Sequence, residues 1–336
     1  MKNKMIIVIG ASSFVGTYLV DELIAQGREV FATGHNNINR EYYAKRRIKY
    51  AQVDLARKRD LEKLPKENVE AVVLMASMMP NNDNTRLPQP YVDVNVTGTL
   101  NVLEYCRINK IKKIVYGHSH KDVAGLWDCG RPITEEDGPS IIYTADHAVY
   151  TITKIAAVNL VEHYHQVHSV VGISFRFAAI YGYGPHTEFY AGGKVRVPKS
   201  TVFIRNAIAG DPIEIWGDPS KGQDIVYVKD VVGGIIGAID SDKAHGLYNV
   251  TSGIRTSLDE EVKGVIKVFS PPNHPSEIRY RSDKPDMPCN FLYDISKAKR
   301  DFNYQVRYPL IKMLQDMKKE MELRRFPHLI KREIKR

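Results

Sequence analysis

Hydrophobic and polar positions follow two alternating rhythms over the first 180 residues. Short apolar runs rich in β-branched side chains lie at 5–10, 29–33, 48–54, 70–76, 112–117 and 170–178, and each is short enough to be a strand. Between them, residues 14–27, 92–110 and 150–168 repeat apolar residues three and four apart, which predicts amphipathic helices. Near-continuous apolar strands alternating with helices imply a parallel sheet covered on both faces, a doubly wound α/β domain. After about residue 185 the pattern loosens into Gly- and Pro-punctuated pieces at 184–198, 209–222 and 269–277, which predicts a smaller, irregular C-terminal lobe. The expected division is a first domain over 1–180, with 222–252 returning to it. A second lobe is expected from 181–221 and 253–325, with a basic tail at 326–336.

Composition narrows this picture only slightly. The 336 residues are 43% hydrophobic and 26% charged, ordinary globular values, and no apolar run reaches the length a membrane helix needs. The first run, Met5 to Ile9, passes at once into a glycine loop, so it reads as a buried strand and not a signal peptide. Cys106, Cys129 and Cys289 share no disulfide or zinc spacing, so no metal is expected and the cytosol is the expected compartment. The net charge of +9 is unevenly spread, residues 316–336 holding eight Lys/Arg against four Asp/Glu. Smaller basic clusters at 45–49 and 57–59 are not interleaved with aromatics in a nucleic-acid module. An anionic small molecule or a solvated surface accounts for the charge.

Chemistry enters with "GASSFVG", residues 10–16. Gly10 ends the first run and permits a tight turn, and Gly16 permits close helix–strand packing. The turn directs a helix N-terminus at one spot, an anion site of Rossmann type. Ser13 replaces the central glycine of such loops, and its hydroxyl offers a further phosphate contact. A second pattern, Tyr-x-x-x-Lys, occurs five times, at Tyr150/Lys154, Tyr190/Lys194, Tyr280/Lys284, Tyr293/Lys297 and Tyr308/Lys312. Position selects the first: it alone opens a long amphipathic segment directly after the fifth run, whereas 190–194 contains Gly-Gly, unsuited to a helix.

Together these features make the chain resemble an extended short-chain dehydrogenase/reductase of the nucleotide-sugar epimerase/dehydratase family. The likeness continues through "VDL" (53–55), "DVNVTGTLNVLE" (93–104), "KKIVYGHS" (112–119), "RFAAIYGYGP" (176–185), "GDPIEIWGD" (210–218), "QDIVYVKDV" (223–231) and "LYNVTSG" (247–253). The resemblance implies an NAD(P)-dependent enzyme, a homodimer, acting on a nucleotide-diphosphate sugar. Tyr150 would be the general acid/base, with Lys154 and the cationic nicotinamide favouring its phenolate and Lys154 also bonding the nicotinamide ribose. Ser119 would hold the reacting oxygen, with His120 the competing assignment because one extra residue separates it from "VAG". Gly10, Ser12, Ser13, Phe14, Val15 and Gly16 would hold the dinucleotide phosphates, Asp54 and Leu55 would border the adenine, and Ala76 and Phe177 would line its path. Asn95 would brace the helix carrying the site.

Departures from the family pattern limit the reaction. The acidic pair that 4,6-dehydratases place beside the catalytic hydroxyl is replaced by His120-Lys121-Asp122, which disfavours dehydration. The usual sugar-nucleotide contacts Asn and Arg are Ala179 and Gln223, so Lys199, with Lys194, Arg196 and Lys221, is the candidate replacement charge. The loop from Tyr181 resembles that of GDP-fucose synthases without their epimerising Cys and His, Val195 standing at the His position. Gly34 occupies the strand end where NAD enzymes of this fold place an acid. With His35, Asn36 and Arg40 following, it favours NADP over NAD. The expected activity is C4 epimerisation or reduction/oxidation at a 4-keto carbon, with two rivals: a reductase of a non-sugar ketone and a non-catalytic dinucleotide-binding regulator.

Overall fold

The structure, a computed structural model, describes residues 4–37, 39–80, 87–184, 189–191, 194–286 and 289–326, with the side chains of 189–191 and 195 outside that description. In chain order the first half runs β1 (Met5–Ile9), α1 (Phe14–Ala25), β2 (Glu29–Gly34), α2 (Arg40–Lys45), β3 (Lys49–Gln52) and β4 (Val69–Leu74). It continues through α3 (Pro88–Tyr91), a π-helical stretch Val92–Thr97, α4 (Gly98–Ile108), β5 (Lys113–Ser119), α5 (Ala148–His168) and β6 (Val171–Phe177). The second half comprises β7 (Ala179–Tyr181), β8 (Phe189–Ala191), β9 (Lys194–Arg196), α6 (Lys199–Ala209), β10 (Ile213–Trp216), β11 (Gly222–Tyr227), α7 (Val228–Asp240) and β12 (Gly246–Val250). It closes with β13 (Arg255–Ser257), α8 (Leu258–Phe269), β14 (Ile278–Arg281), α9 (Ser296–Phe302) and α10 (Leu310–Glu322).

Seven parallel strands form the main sheet in the order β12-β6-β5-β4-β1-β2-β3. The period of two sorts β1 between two cores although every one of its residues is apolar. Ile6 and Val8 join Leu19, Val231 and Ile235 beneath α1 and α7, whereas Ile7 and Ile9 join Val102, Leu103 and Val161 beneath α4 and α5. The sheet is thus a Rossmann-type α/β fold with helices on both faces, as the hydrophobic rhythm implied.

Beyond β6 the chain builds three small sheets: β13-β11-β7, β10-β14 and β8-β9. The lobe they form shares its apolar core with the main sheet. Ile213, Leu258, Val262 and Leu314 belong to the same buried cluster as Ile6 and Val8. Of the stretch expected to return at 222–252, β12 pairs with β6 in the main sheet, while β11 pairs with β7 and β13 outside it. Phe326, assigned to the tail in the sequence reading, is buried against the Tyr18 ring, centroids 5.0 Å apart. Among the described residues no helix is long and apolar enough to cross a membrane.

Candidate active site

The sheet order reverses between β1 and β4, the place where ligands of such sheets bind. A cavity of about 640 Å³ opens there. Gly10, Ser12–Val15, Gly34, His35 and Asn36 line one side, Met75–Ser77 the floor, and Gly117–Lys121, His147, Tyr150, Lys154, Phe177, Ala178 and Ile180 the other side.

The loop at 10–16 is built by glycine geometry and a serine cap. Gly10 has φ +87°, and a Cβ there would lie 2.6 Å from the Ala76 nitrogen; one on Gly16 would lie 2.2 Å from the Gly10 carbonyl oxygen. Ser13 is the N-cap of α1, its Oγ accepting the Gly16 N–H at 3.1 Å. That bond uses an acceptor lone pair and leaves the hydroxyl proton for an anion.

The three candidate catalytic side chains converge at the other end. Ser119 closes β5, and Tyr150 and Lys154 occupy successive turns at the start of α5. Ser119 and Tyr150 share a side-chain hydrogen bond. The Lys154 ammonium donates to the Gly117 carbonyl and sits 4.1 Å above the Tyr116 ring. Burial decides both ionisations: Tyr150 is pushed up to about 12, with Ser119 pulling the other way, and Lys154 is drawn down to about 7.

His120, the rival to Ser119, lines the same cavity and packs among aromatic rings. Its ring lies 5.0 Å from those of Trp127 and Phe291, and its Nδ1 is 3.3 Å from the Tyr293 hydroxyl. Asn95 does not reach the cavity lining. It ties the π-helical stretch to both neighbours, accepting the Met78 N–H at 2.8 Å and donating to the Met78 carbonyl and to Thr153 Oγ1 at 3.2 and 3.1 Å. Asp54 lies with His35 in an adjoining groove and Arg40 is exposed at the start of α2. Leu55 is buried where a Cβ on Gly98 would lie 2.8 Å from it. Among the replacement charges, Lys199 is ion-paired with buried Glu261, and Lys221 lies 3.1 Å from Asp286. Gln223 hydrogen-bonds the Cys289 thiol, and Ala179 sits in β7 between the lining residues Ala178 and Ile180. Positions 185–188 of the loop compared with GDP-fucose synthases lie outside the described residues.

Gly34 has a different reason from the one expected. Its φ is not positive, and a Cβ there would lie 2.3 Å from the Tyr50 hydroxyl and 2.8 Å from Ser12 Oγ. Tyr50 reaches over from β3, donates to the Asn36 carbonyl at 2.6 Å and stacks on Tyr43 at 5.3 Å. The missing acid is explained by a tyrosine filling its space, so the glycine carries no argument for a 2′-phosphate.

Sequence reasoning also missed a buried cluster behind β5. Asp122 accepts from Arg176 Nε at 3.0 Å and lies 3.0 Å from His118 Nε2. Asp122 is thereby committed to structure, and nothing local in the sequence marked a partner 54 positions away.

The cavity runs unbroken from the phosphate loop to Tyr150, and none of the described residues lining it is Asp or Glu. A glycine cradle at one end and a buried lysine beside a Ser–Tyr pair at the other fit a nicotinamide dinucleotide. The fold and site thus define a nicotinamide-dependent Rossmann enzyme. The family model for the NAD dependent epimerase/dehydratase family matches residues 6–251, and the chain belongs to that family.

The chain is 27% identical to a putative UDP-glucose 4-epimerase of Methanocaldococcus jannaschii, over 76% of this chain and 79% of that protein. It is 26% identical to UDP-glucuronic acid decarboxylase 1 of Arabidopsis thaliana, over 92% of this chain and 68% of the relative. The UDP-glucose 4-epimerase of Thermotoga maritima, solved with UDP-glucose, superposes with a TM-score of 0.78 at 20% identity, covering 95% of this chain and 99% of that one. That likeness establishes the fold.

Proposed function

We propose that the protein is an NAD-dependent 4-epimerase of a UDP-linked sugar. The observation that supports it most is the meeting of Ser119, Tyr150 and Lys154 in one cavity with the phosphate loop, without a carboxylate among the described lining residues. Elimination of water needs a second acid beside the reacting carbon, and this site offers Lys121 there instead. Epimerisation needs one acid/base used twice.

Bound dinucleotide supplies the hydride acceptor and donor. Ser119 holds the C4 oxygen, and Tyr150 takes its proton as the alcohol becomes a ketone. The 4-keto ring then presents its other face, and Tyr150 returns the proton as the alcohol reforms. With the cationic nicotinamide bound beside it, the Lys154 ammonium would hold Tyr150 as the phenolate that takes this proton, and Tyr150 is neutral while the sugar is a ketone. NAD is favoured over NADP because the matching family model is that of NAD dependent enzymes, and a self-recycling reaction suits a retained cofactor. Gly10, Ser12, Ser13 and Gly16 hold its phosphates, and Ala76 and Phe177 line its path.

The test is denaturing release of any bound dinucleotide with identification by mass spectrometry, followed by incubation of UDP-sugars and NMR analysis at C4. Retained NAD with C4 inversion supports the proposal; an empty site that prefers NADPH and gives net reduction overturns it. Tyr150→Phe is expected to lower kcat by roughly 10² to 10⁴-fold, the range of general acid–base catalysis.

The same reading makes the protein a homodimer through α4 and α5. Leu100 and Ile152 leave apolar surface exposed on these two helices. Ile152→Glu is expected to give a monomer by light scattering.

A further inference from the structure

Lys121 is a cation that the proposed chemistry does not use. It lines the cavity two residues beyond Ser119, and its backbone N–H donates to Ser119 Oγ at 3.3 Å. Its ammonium rests 4.5 Å above the Trp127 ring and has no carboxylate partner among the described residues; the thiol of Cys289 is the group that favours its charge. Burial pulls its pKa down, the mark of a charge separated from water without an ion to replace it. The neighbouring lysines of the second lobe differ, since Lys199 and Lys221 are already paired with Glu261 and Asp286. The Trp127 platform is itself fixed, its Nε1 donating to the Tyr293 hydroxyl at 3.2 Å.

A half-buried ammonium held by an aromatic face beside the reacting centre is ready for an anion from the substrate. The proposed reaction fixes which one, and the inference rests on that reading. With O4 on Ser119 and Tyr150, the carbon next to the reacting centre is C5, which carries C6. The diphosphate hangs from C1, across the ring. We infer that Lys121 pairs with a carboxylate at C6, so that the natural substrate is a nucleotide-diphosphate uronic acid and not a neutral hexose. A C6 hydroxymethyl group would leave the ammonium with only the indole face.

The test is calorimetric titration of UDP, UDP-glucose and UDP-glucuronate into NAD-loaded wild-type, Lys121→Met and Lys121→Arg proteins, with thermal melts as the folding control. Wild type is expected to bind UDP-glucuronate more tightly than UDP-glucose. Lys121→Met should weaken UDP-glucuronate at least about tenfold, as loss of a charge-assisted contact does, while UDP and UDP-glucose stay within about threefold. Lys121→Arg should recover most of the loss. Equal weakening of all three ligands would make Lys121 a diphosphate group and overturn the inference, as would no change in any. Tight UDP binding without a preference for the acid overturns the inference alone. Failure of wild type to bind any of the three overturns the nucleotide-sugar reading along with it.

Discussion

Lys154 is the residue whose physics is most exposed to measurement. Its folded pKa, drawn down to about 7 by burial, lies below the unfolded lysine value near 10.4. Between these values the unfolded chain binds more protons, so this group makes stability rise with pH from about 7 to about 10. Below that window the buried charge opposes folding. Lys121 and Lys113, also lowered by burial, add the same sign, whereas His118 and His120, lowered too, complete their contribution at more acid pH. Thermal melts of the cofactor-free protein should therefore climb from pH 7 to 9. The slope should be smaller in Lys154→Met, which should be the more stable protein at pH 7. An identical slope in both would show that Lys154 is hydrated in solution. Gly34 offers a second test at this scale. Gly34→Ala sets a methyl group against the Tyr50 hydroxyl and should cost about 1–3 kcal/mol by urea unfolding, the usual penalty of overpacking. Tyr50→Phe removes the clashing oxygen and leaves the ring carbon 3.4 Å away, so it should recover most of that loss in the double variant. The Gly34–Tyr50 relation was hidden from the sequence because it joins neighbouring strands at unrelated positions. The pairing of Gly34 with Gln52 that brings Tyr50 alongside exists only once the sheet forms. Tyr150 and Lys154, by contrast, share a helix face at fixed spacing, which a sequence displays directly.

Among the elements, the legible ones were those whose pattern is local. All six early strands and the three long helices follow from period and punctuation, and α1 begins where Ser13 caps it. The π-helical stretch at Val92–Thr97 was not legible, since its sequence continues the helical period into α4. Its cause is tertiary: the buried Asn95 side chain spends its hydrogen bonds on Met78 and Thr153. Thr153 in turn donates to the Tyr150 carbonyl at 2.8 Å, so one amide links the segment after β4, the π turn and the start of α5. Asn95→Ala leaves the Met78 N–H without its partner and should cost about 1–3 kcal/mol, the penalty of an unsatisfied buried group. Because the loss falls on the helix that aims Tyr150, kcat should fall while the KM for the sugar nucleotide changes little. A fall in stability with unchanged kcat would confine Asn95 to a structural role. Pi turns of this kind recur at functional sites.

Across the whole molecule, Arg325 and Phe326 are tied to the glycine loop at 10–16 through a chain of contacts that no sequence window spans. Phe326 packs edge-on against Tyr18 in α1, and Arg325 lies 4.7 Å above the same ring while bonding Asp21 and Glu320 at 2.9 and 2.8 Å. The Tyr18 hydroxyl donates to the Tyr183 carbonyl at 2.8 Å. Beside it, Gly182 and Gly184 lie so close to the Phe14 ring that a Cβ on either would fall within 2.7 Å of it. Phe14 opens α1 directly after the Ser13 cap. Arg325 and Phe326 thus press on α1, whose first turn closes the glycine loop at 10–16, by way of the segment that leaves β7. Phe326→Ala removes one ring of this stack, and burial predicts a loss of about 3–5 kcal/mol. The coupling adds a second expectation: NAD affinity should weaken at temperatures where the variant is still fully folded, because Tyr18 and Tyr183 lose their backing. Arg325→Ala should show the same pattern more mildly. Unfolding curves and NAD titrations on the two variants separate the cases. If stability drops while NAD affinity at low temperature holds, the C-terminal segment only closes the core. If both fall together, residues more than three hundred positions from the phosphate loop help to shape it.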